Sequence, residues 1–259
     1  MSTILFSEIV FGPIHSRRLG TSLGINLLPY DGKLCSFDCI YCECGLNKDL
    51  RTKTKLPERQ NVKLALEDKL RKLKSDCVIL DVITFAGNGE PTMHPEFEVI
   101  IEDTIALRDK FYPTSKISVL SNGMHLNKPS VVNALKKTDN PILKLDSALD
   151  ETVKLIDIPN SSSYSVARQI ELYKQFNGNF ILQTMFIKGQ FENNKIDNTT
   201  EEEVSAWIEV VRRLHPREVM IYTIDRETPV KGLEKVSFEE LQKISDRVKA
   251  MGIETNVAG

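Results

Sequence analysis

Three cysteines stand in the run Cys35-Ser-Phe-Asp-Cys39-Ile-Tyr-Cys42, a C-x3-C-x2-C spacing. Thiolates are the usual protein ligands of iron–sulfur clusters, and a closed 4Fe–4S site takes four of them. Three ligands leave one iron without a protein donor, and an open position is what a catalytic metal needs. Cys44 lies two residues further on. With it, the same run also reads as a closed electron-transfer cluster, or as a tetrahedral zinc site in an interaction module. The chain has five cysteines, an odd number, with four crowded between 35 and 44, so metal binding fits better than disulfides. Cys77 precedes an apolar run and is expected to be a buried core thiol.

Other groups that could do chemistry sit at turns. Gly87-Asn88-Gly89-Glu90-Pro91 is a glycine turn with an acid and a proline placed to start a helix. Ser121-Asn122-Gly123 contains a favoured turn pair. Asp146-Ser147 closes an apolar run, and Gln183 lies inside another. His15, Arg17 and Arg18 form a polar cluster near the start of the chain, and Asp225 and Arg226 form another near its end. The first reads either as a set of structural salt bridges or as a binding group for an anionic substrate or partner, and the second either as a substrate contact or as an internal ion pair.

The elements that must position these residues alternate along the chain. β-branched apolar runs cover 22–28, 78–86, 116–120, 141–145, 180–187, 218–224 and 253–257. Between them, 62–74, 96–110, 130–137, 165–176, 201–214 and 238–251 carry apolar residues at helical spacing. In the first of these, Leu64, Leu66, Leu70 and Leu73 form the apolar side. Thr200 before Glu203, and Ser237 before Glu240, read as capping boxes. Trp207 is expected to be packed, 48–55 to be a solvated loop, and 192–198 to be a turn. Repeated βα units predict an α/β fold, a partial parallel (β/α)6 TIM-like barrel formed as a single domain over 1–259. Residues 1–21 are expected as an extension packing on it. Such barrels carry their chemistry on loops after the strands, where the cysteine run and the glycine turns fall.

With an aromatic, Tyr41, just before its last cysteine, C-x3-C-x2-C resembles the signature of the radical SAM superfamily. Gly87-Asn88-Gly89-Glu90 is similar to that family's Gly-Gly-Glu-Pro segment, with Asn88 replacing the commoner glycine. The resemblance implies a 4Fe–4S cluster on Cys35, Cys39 and Cys42, with S-adenosylmethionine on the open iron. It places Tyr41 beside the adenine and gives the methionyl amine to Gly87, Asn88, Gly89 and Glu90. Asn122, Asp146, Ser147 and Gln183 would line the rest of the cofactor. The implied reaction is reductive cleavage of S-adenosylmethionine to a 5′-deoxyadenosyl radical, which abstracts hydrogen from an unidentified substrate. The electron donor would be a flavodoxin or ferredoxin.

The flanks Phe11–Gly24 and Val219–Arg226, together with Pro229, are similar to short Fe–S oxidoreductases related to the wyosine-type tRNA-modifying enzymes. tRNA modification is therefore one alternative, and the substrate class stays open among small molecule, protein and RNA. Lys plus Arg total 34 against 36 Asp plus Glu, a net charge of -2 with no overall drive toward nucleic acid. No apolar run approaches the roughly 18 residues that span a bilayer. The first ten residues lack a basic region and include Glu8, so no secretory signal is expected and the chain is expected to be cytoplasmic.

Overall fold

All seven apolar runs become strands in the computed structural model, which describes residues 4–16, 18–48 and 52–259. They are β2 (Gly20–Ile25), β3 (Val82–Phe85), β4 (Lys116–Ser121), β5 (Asn140–Lys144), β6 (Ile181–Met185), β9 (Glu218–Tyr222) and β11 (Glu254–Ala258). These seven run parallel, in the order β2-β3-β4-β5-β6-β9-β11. β1 (Val10–Ser16) adds an antiparallel edge beside β2, so the stretch read as an extension contributes a strand to the same sheet. The sheet is curled and open, a half-barrel, because β1 and β11 remain its two ends. Strands such as β3 and β6 are buried along their whole length, as expected where helices cover one face and the barrel interior the other.

The helices are α1 (Arg59–Ser75), α2 (Phe97–Phe111), α3 (Pro129–Lys137), α4 (Asp150–Ile156), α5 (Val166–Lys174), α6 (Glu201–Leu214) and α7 (Phe238–Lys249). Their apolar stripes meet the outer face of the sheet in one large core. In α1 the buried stripe is Val62, Leu66, Leu70 and Leu73, whereas Leu64 is 49% exposed. Spacings of four, four and three keep Val62 on the inner face, and position 64 falls on the opposite side. Trp207 is buried, and its indole N–H donates to Thr184 Oγ1 at 3.1 Å. Thr200 and Ser237 cap α6 and α7 by accepting from Glu203 N and Glu240 N, each at 3.3 Å. Glu203 does not return the bond to its cap. Its carboxylate is buried and accepts from Ser147 Oγ at 2.6 Å and from Thr152 Oγ1.

Two further expectations need correction. The segment 192–198, expected as a turn, is the tip and second strand of a hairpin formed by β7 (Ile187–Phe191) and β8 (Asn194–Asp197). With β10 (Leu233–Lys235) it makes a small antiparallel sheet in the order β10-β7-β8. Glu192 takes φ 54° at the hairpin tip, and Ile196 alone of β8 is buried, so polar composition hid the strand. Cys77 is exposed rather than a core thiol, because the chain turns left-handed there (φ 54°) just after α1. Helix α4, which no periodic run announced, follows β5 and supports the cysteine loop. No helix among the described residues is long and apolar enough to cross a membrane.

Candidate functional site

The cysteine loop leaves β2 and is fastened to the barrel mouth by backbone pairing on two sides. On one side Leu34 forms a parallel bridge with Gly89, Leu34 N donating to Asn88 O at 2.9 Å and Glu90 N to Leu34 O at 3.1 Å. On the other side Phe37 bridges Pro159, and Ile40 N donates to Ile156 O at the end of α4 at 2.9 Å. Gly89 has φ +140°, and a Cβ on it would lie 1.9 Å from Leu34 O. Only glycine fits there, so the turn's composition follows from how closely the loop approaches it.

Glu90 is 2% exposed. Its Oε1 accepts from Thr92 N at 3.1 Å, Thr92 Oγ1 at 2.5 Å and Ser121 Oγ at 2.9 Å, and its Oε2 from Asn122 N at 2.7 Å. All four donors are neutral. Burial pushes the carboxyl above its ordinary range, although these hydrogen bonds favour the ionised form. A cationic group beside Glu90 would supply the missing charge. Asn122 links this carboxylate to the loop, its Nδ2 donating to Ser36 Oγ at 2.9 Å and lying 3.7 Å from Cys35 Sγ.

Across the thiols lies a second charged group. Lys144, at the end of β5, is nearly buried and makes an ion pair with Asp157 Oδ1 at 2.7 Å and another with Asp146. Tyr41 OH joins them, donating to Asp146 and accepting from Lys144. Asp146 Oδ1 also accepts from Met185 N at 3.0 Å. Burial and the neighbouring Asp146 push Asp157 up to about 7, against the pull of Lys144. Lys33 is 3% exposed and donates to Asp38 Oδ1 at 3.0 Å and Gly45 O at 2.8 Å. Burial works against its charge, yet Cys42, Cys39, Cys35 and Asp38 outweigh that and raise its pKa.

The donor set fits an iron–sulfur cluster. Burial pushes Cys35 up to about 12 and Cys39 well up as protonated thiols, so both need a metal to ionise them. Cys42 is drawn down to about 6 by a hydrogen bond from Cys44, with Lys33 assisting against burial. Cys44 also donates to Gly87 O at 3.3 Å. Among the described residues no three His, Cys, Asp or Glu side chains converge on one ion. A cluster asks for no such convergence, because each thiolate binds a different iron.

Of the sequence-derived candidates, the structure brings together Cys35, Cys39, Cys42, Tyr41, Gly89, Glu90, Asn122 and Asp146. Asn88 and Ser147 serve their own surroundings. Asn88 Nδ2 donates to Pro29 O at 2.8 Å and Phe6 O at 2.9 Å, while its Oδ1 accepts from Phe6 N at 2.8 Å. Ser147 is committed to Glu203. Gly87, φ +154°, packs on Asn26, and Gln183 is buried in register with Lys144. Arg226 pairs with Glu43 at 2.7 Å, and Asp225 with Lys235 at 3.7 Å. Arg17 lies outside the described residues. Sequence reasoning missed Lys33, Lys144 and Asp157, and it marked Ser121 only as part of a turn. Lys144 had a signal: it shares a strand face with Ile142, and a lysine inside an apolar run needs a buried partner.

A family model described as the radical SAM superfamily matches residues 31–199. A Brachyspira hyodysenteriae protein named GTPase Obg is 32% identical over 242 residues, which are 92% of this chain and 33% of that protein. The chain thus spans about a third of that protein's length. A UPF0026 protein of Helicobacter pylori is 30% identical, covering 92% of this chain and 72% of its own length. Streptococcus suis SuiB bound to S-adenosylmethionine superposes with TM-score 0.64 at 17% identity, covering 90% of this chain and 50% of SuiB. TYW1 with a lysine-pyruvate adduct bound superposes with TM-score 0.59 at 12% identity, covering 90% and 74%. These two structures share the fold.

Proposed function

The chain belongs to the radical SAM superfamily, and on that premise we propose that Cys35, Cys39 and Cys42 hold a 4Fe–4S cluster whose fourth iron takes S-adenosylmethionine. Held there, the cluster would supply the one-electron reductive cleavage of S-adenosylmethionine that leads to hydrogen abstraction from a substrate. Glu90 carries this reading. It is a buried carboxylate with neutral donors only, tied through Asn122 to the Cys35 side of the loop. An ammonium group such as the methionyl amine satisfies it. The backbone of Gly87 and Gly89 lines that end of the ligand, with Asn88 buried behind it, and Tyr41 flanks the adenine, its hydroxyl held by Asp146 and Lys144. Gln183 lines the barrel side. Ser147 acts at one remove, by anchoring Glu203.

Enzymes of this superfamily need a reductant and a substrate. For this chain we assign the first role to a flavodoxin or ferredoxin. The test is anaerobic reconstitution with iron and sulfide, followed by dithionite and S-adenosylmethionine. The expected products are 5′-deoxyadenosine and methionine. Their absence, with the cluster intact by its absorption and iron content, sinks the proposal.

A further inference from the structure

The turn between β1 and β2 reaches into the barrel interior. Leu19 packs on Ile142, Ile181 and Met220, on the sheet face turned away from the helices. Its neighbour Arg18 lies over the Tyr222 ring, with the guanidinium carbon 4.4 Å from the ring centre. Stacking of this kind fixes the guanidinium plane. Arg18 Nη1 is shielded from solvent and has no hydrogen-bond acceptor among the described residues. A guanidinium stays charged at any working pH, so a buried N–H without an acceptor is a costly feature to keep.

That nitrogen belongs to a side chain lining a cavity of about 280 Å³, whose wall includes Tyr41, Cys42, Met185, Tyr222 and Thr223. Other charged groups around it already have counter-charges: Arg226 has Glu43, Asp225 has Lys235, and Lys144 has Asp146 and Asp157. The cavity therefore combines a fixed, incompletely bonded cation with the cysteine loop.

We propose that Arg18 binds an anionic group of the substrate, a carboxylate or a phosphate, and so holds the substrate in the cavity beside Cys42. The inference rests on the reading above, in which the radical forms at the cysteine loop. Either anion matches the guanidinium fork, and Arg18 binds it without bond making or breaking. Arg18 is a positioning group that sets which molecule faces the radical.

The test uses iron-loaded protein with S-adenosylmethionine present, titrated calorimetrically with inorganic phosphate and, separately, with acetate. At least one probe should bind saturably to the wild type. In Arg18→Gln its affinity should fall about tenfold or more, the loss of one charge-assisted contact, with Arg18→Lys in between. The affinity for S-adenosylmethionine, read from the cluster's EPR shift, should stay within about twofold. Equal probe affinity in Arg18→Gln, or no binding of either probe to the wild type, overturns the proposal. A probe that competes with S-adenosylmethionine also overturns it, because Arg18 would then serve that ligand's own carboxylate. Should Arg18→Gln fail to fold, phenylglyoxal labelling of wild-type Arg18 is followed by peptide mass. Protection by phosphate or acetate supports the proposal, and an unchanged labelling rate overturns it. Anion binding without any 5′-deoxyadenosine formation would sink the earlier reading and not this one.

Discussion

Glu90 and Asp146 are both buried carboxylates beyond the ends of parallel strands, and both face the cysteine loop, yet they are satisfied in different ways. Glu90 takes hydrogen bonds only from the neutral groups of Thr92, Ser121 and Asn122. Asp146 meets the cation of Lys144, which also serves Asp157. Burying a carboxylate is costly unless it is paired and hydrogen-bonded. The Lys144 side carries its own cation, shared by Asp146 and Asp157, and works as scaffold: it sets Tyr41 against the loop and ties β5 to the end of α4. The Glu90 side is left open in charge and works as a receptor for a cationic group. A site with one closed and one open wall can orient a zwitterionic ligand while keeping its own shape.

Removing Lys144 should have the largest effect. Lys144→Met leaves Asp146 and Asp157 buried without their cation, and breaking a buried pair in this way costs about 3–5 kcal/mol. Chemical denaturation should show the loss, and a second change, Asp157→Asn, should recover part of it. The loss should grow with pH. Burial and Asp146 push Asp157 up to about 7, above the usual aspartate value near 3.9, so its neutral form favours folding. That contribution is full at low pH and fades as pH rises toward 7, where the charged carboxylate needs Lys144 most. A loss under about 1 kcal/mol, independent of pH, would break the contrast between the two walls.

Glu90→Gln should disturb the fold far less and binding far more. The amide keeps the shape but turns one acceptor into a donor among neutral donors, for a stability change of about 1–2 kcal/mol. S-adenosylmethionine affinity should fall at least about tenfold, since a charge-assisted bond is lost. The cluster's EPR response to S-adenosylmethionine measures it. Unchanged affinity would make Glu90 a structural acid like Asp146.

This contrast also marks what was legible in the sequence. Strands β3 and β6 were legible because they are buried along their whole length, whereas β11, with Glu254, Thr255 and Asn256, was legible from its place in the alternation rather than from an unbroken apolar run. The Gly89–Glu90 turn was legible because a 1.9 Å approach to Leu34 O leaves glycine no substitute. β7, β8 and β10 were hidden because they are short and rich in polar residues, and β1 because Gly12-Pro13 interrupts it where its register with β2 shifts between Phe11 and Ile14. Val62 displaced Leu64 from the α1 stripe because direction around the helix outweighs side-chain size. The Lys144 system was hidden because its parts come from separate elements. Tyr41 is 103 residues from Lys144, and no local pattern records that contact. The open wall was written as a local motif, whereas the closed wall exists only after folding.

The smallest effect belongs to Cys44, the residue on which the two readings of the cysteine run differ most. Its thiol donates to Gly87 O at 3.3 Å, and it is 8% exposed. A thiol that donates a proton keeps that proton, whereas a metal ligand must give it up. Cys44→Ala should therefore leave iron and sulfide content unchanged after reconstitution. It should cost about 1 kcal/mol for a lost weak hydrogen bond and a small void. Any shift in the cluster's potential should come through Cys42, which loses a donor to its sulfur. Loss of iron in Cys44→Ala, or zinc in place of iron in anaerobically purified wild type, would close the fourth position with Cys44. Glu90 would then have no ligand to receive, because the open wall has a purpose only while one metal position lacks a protein donor.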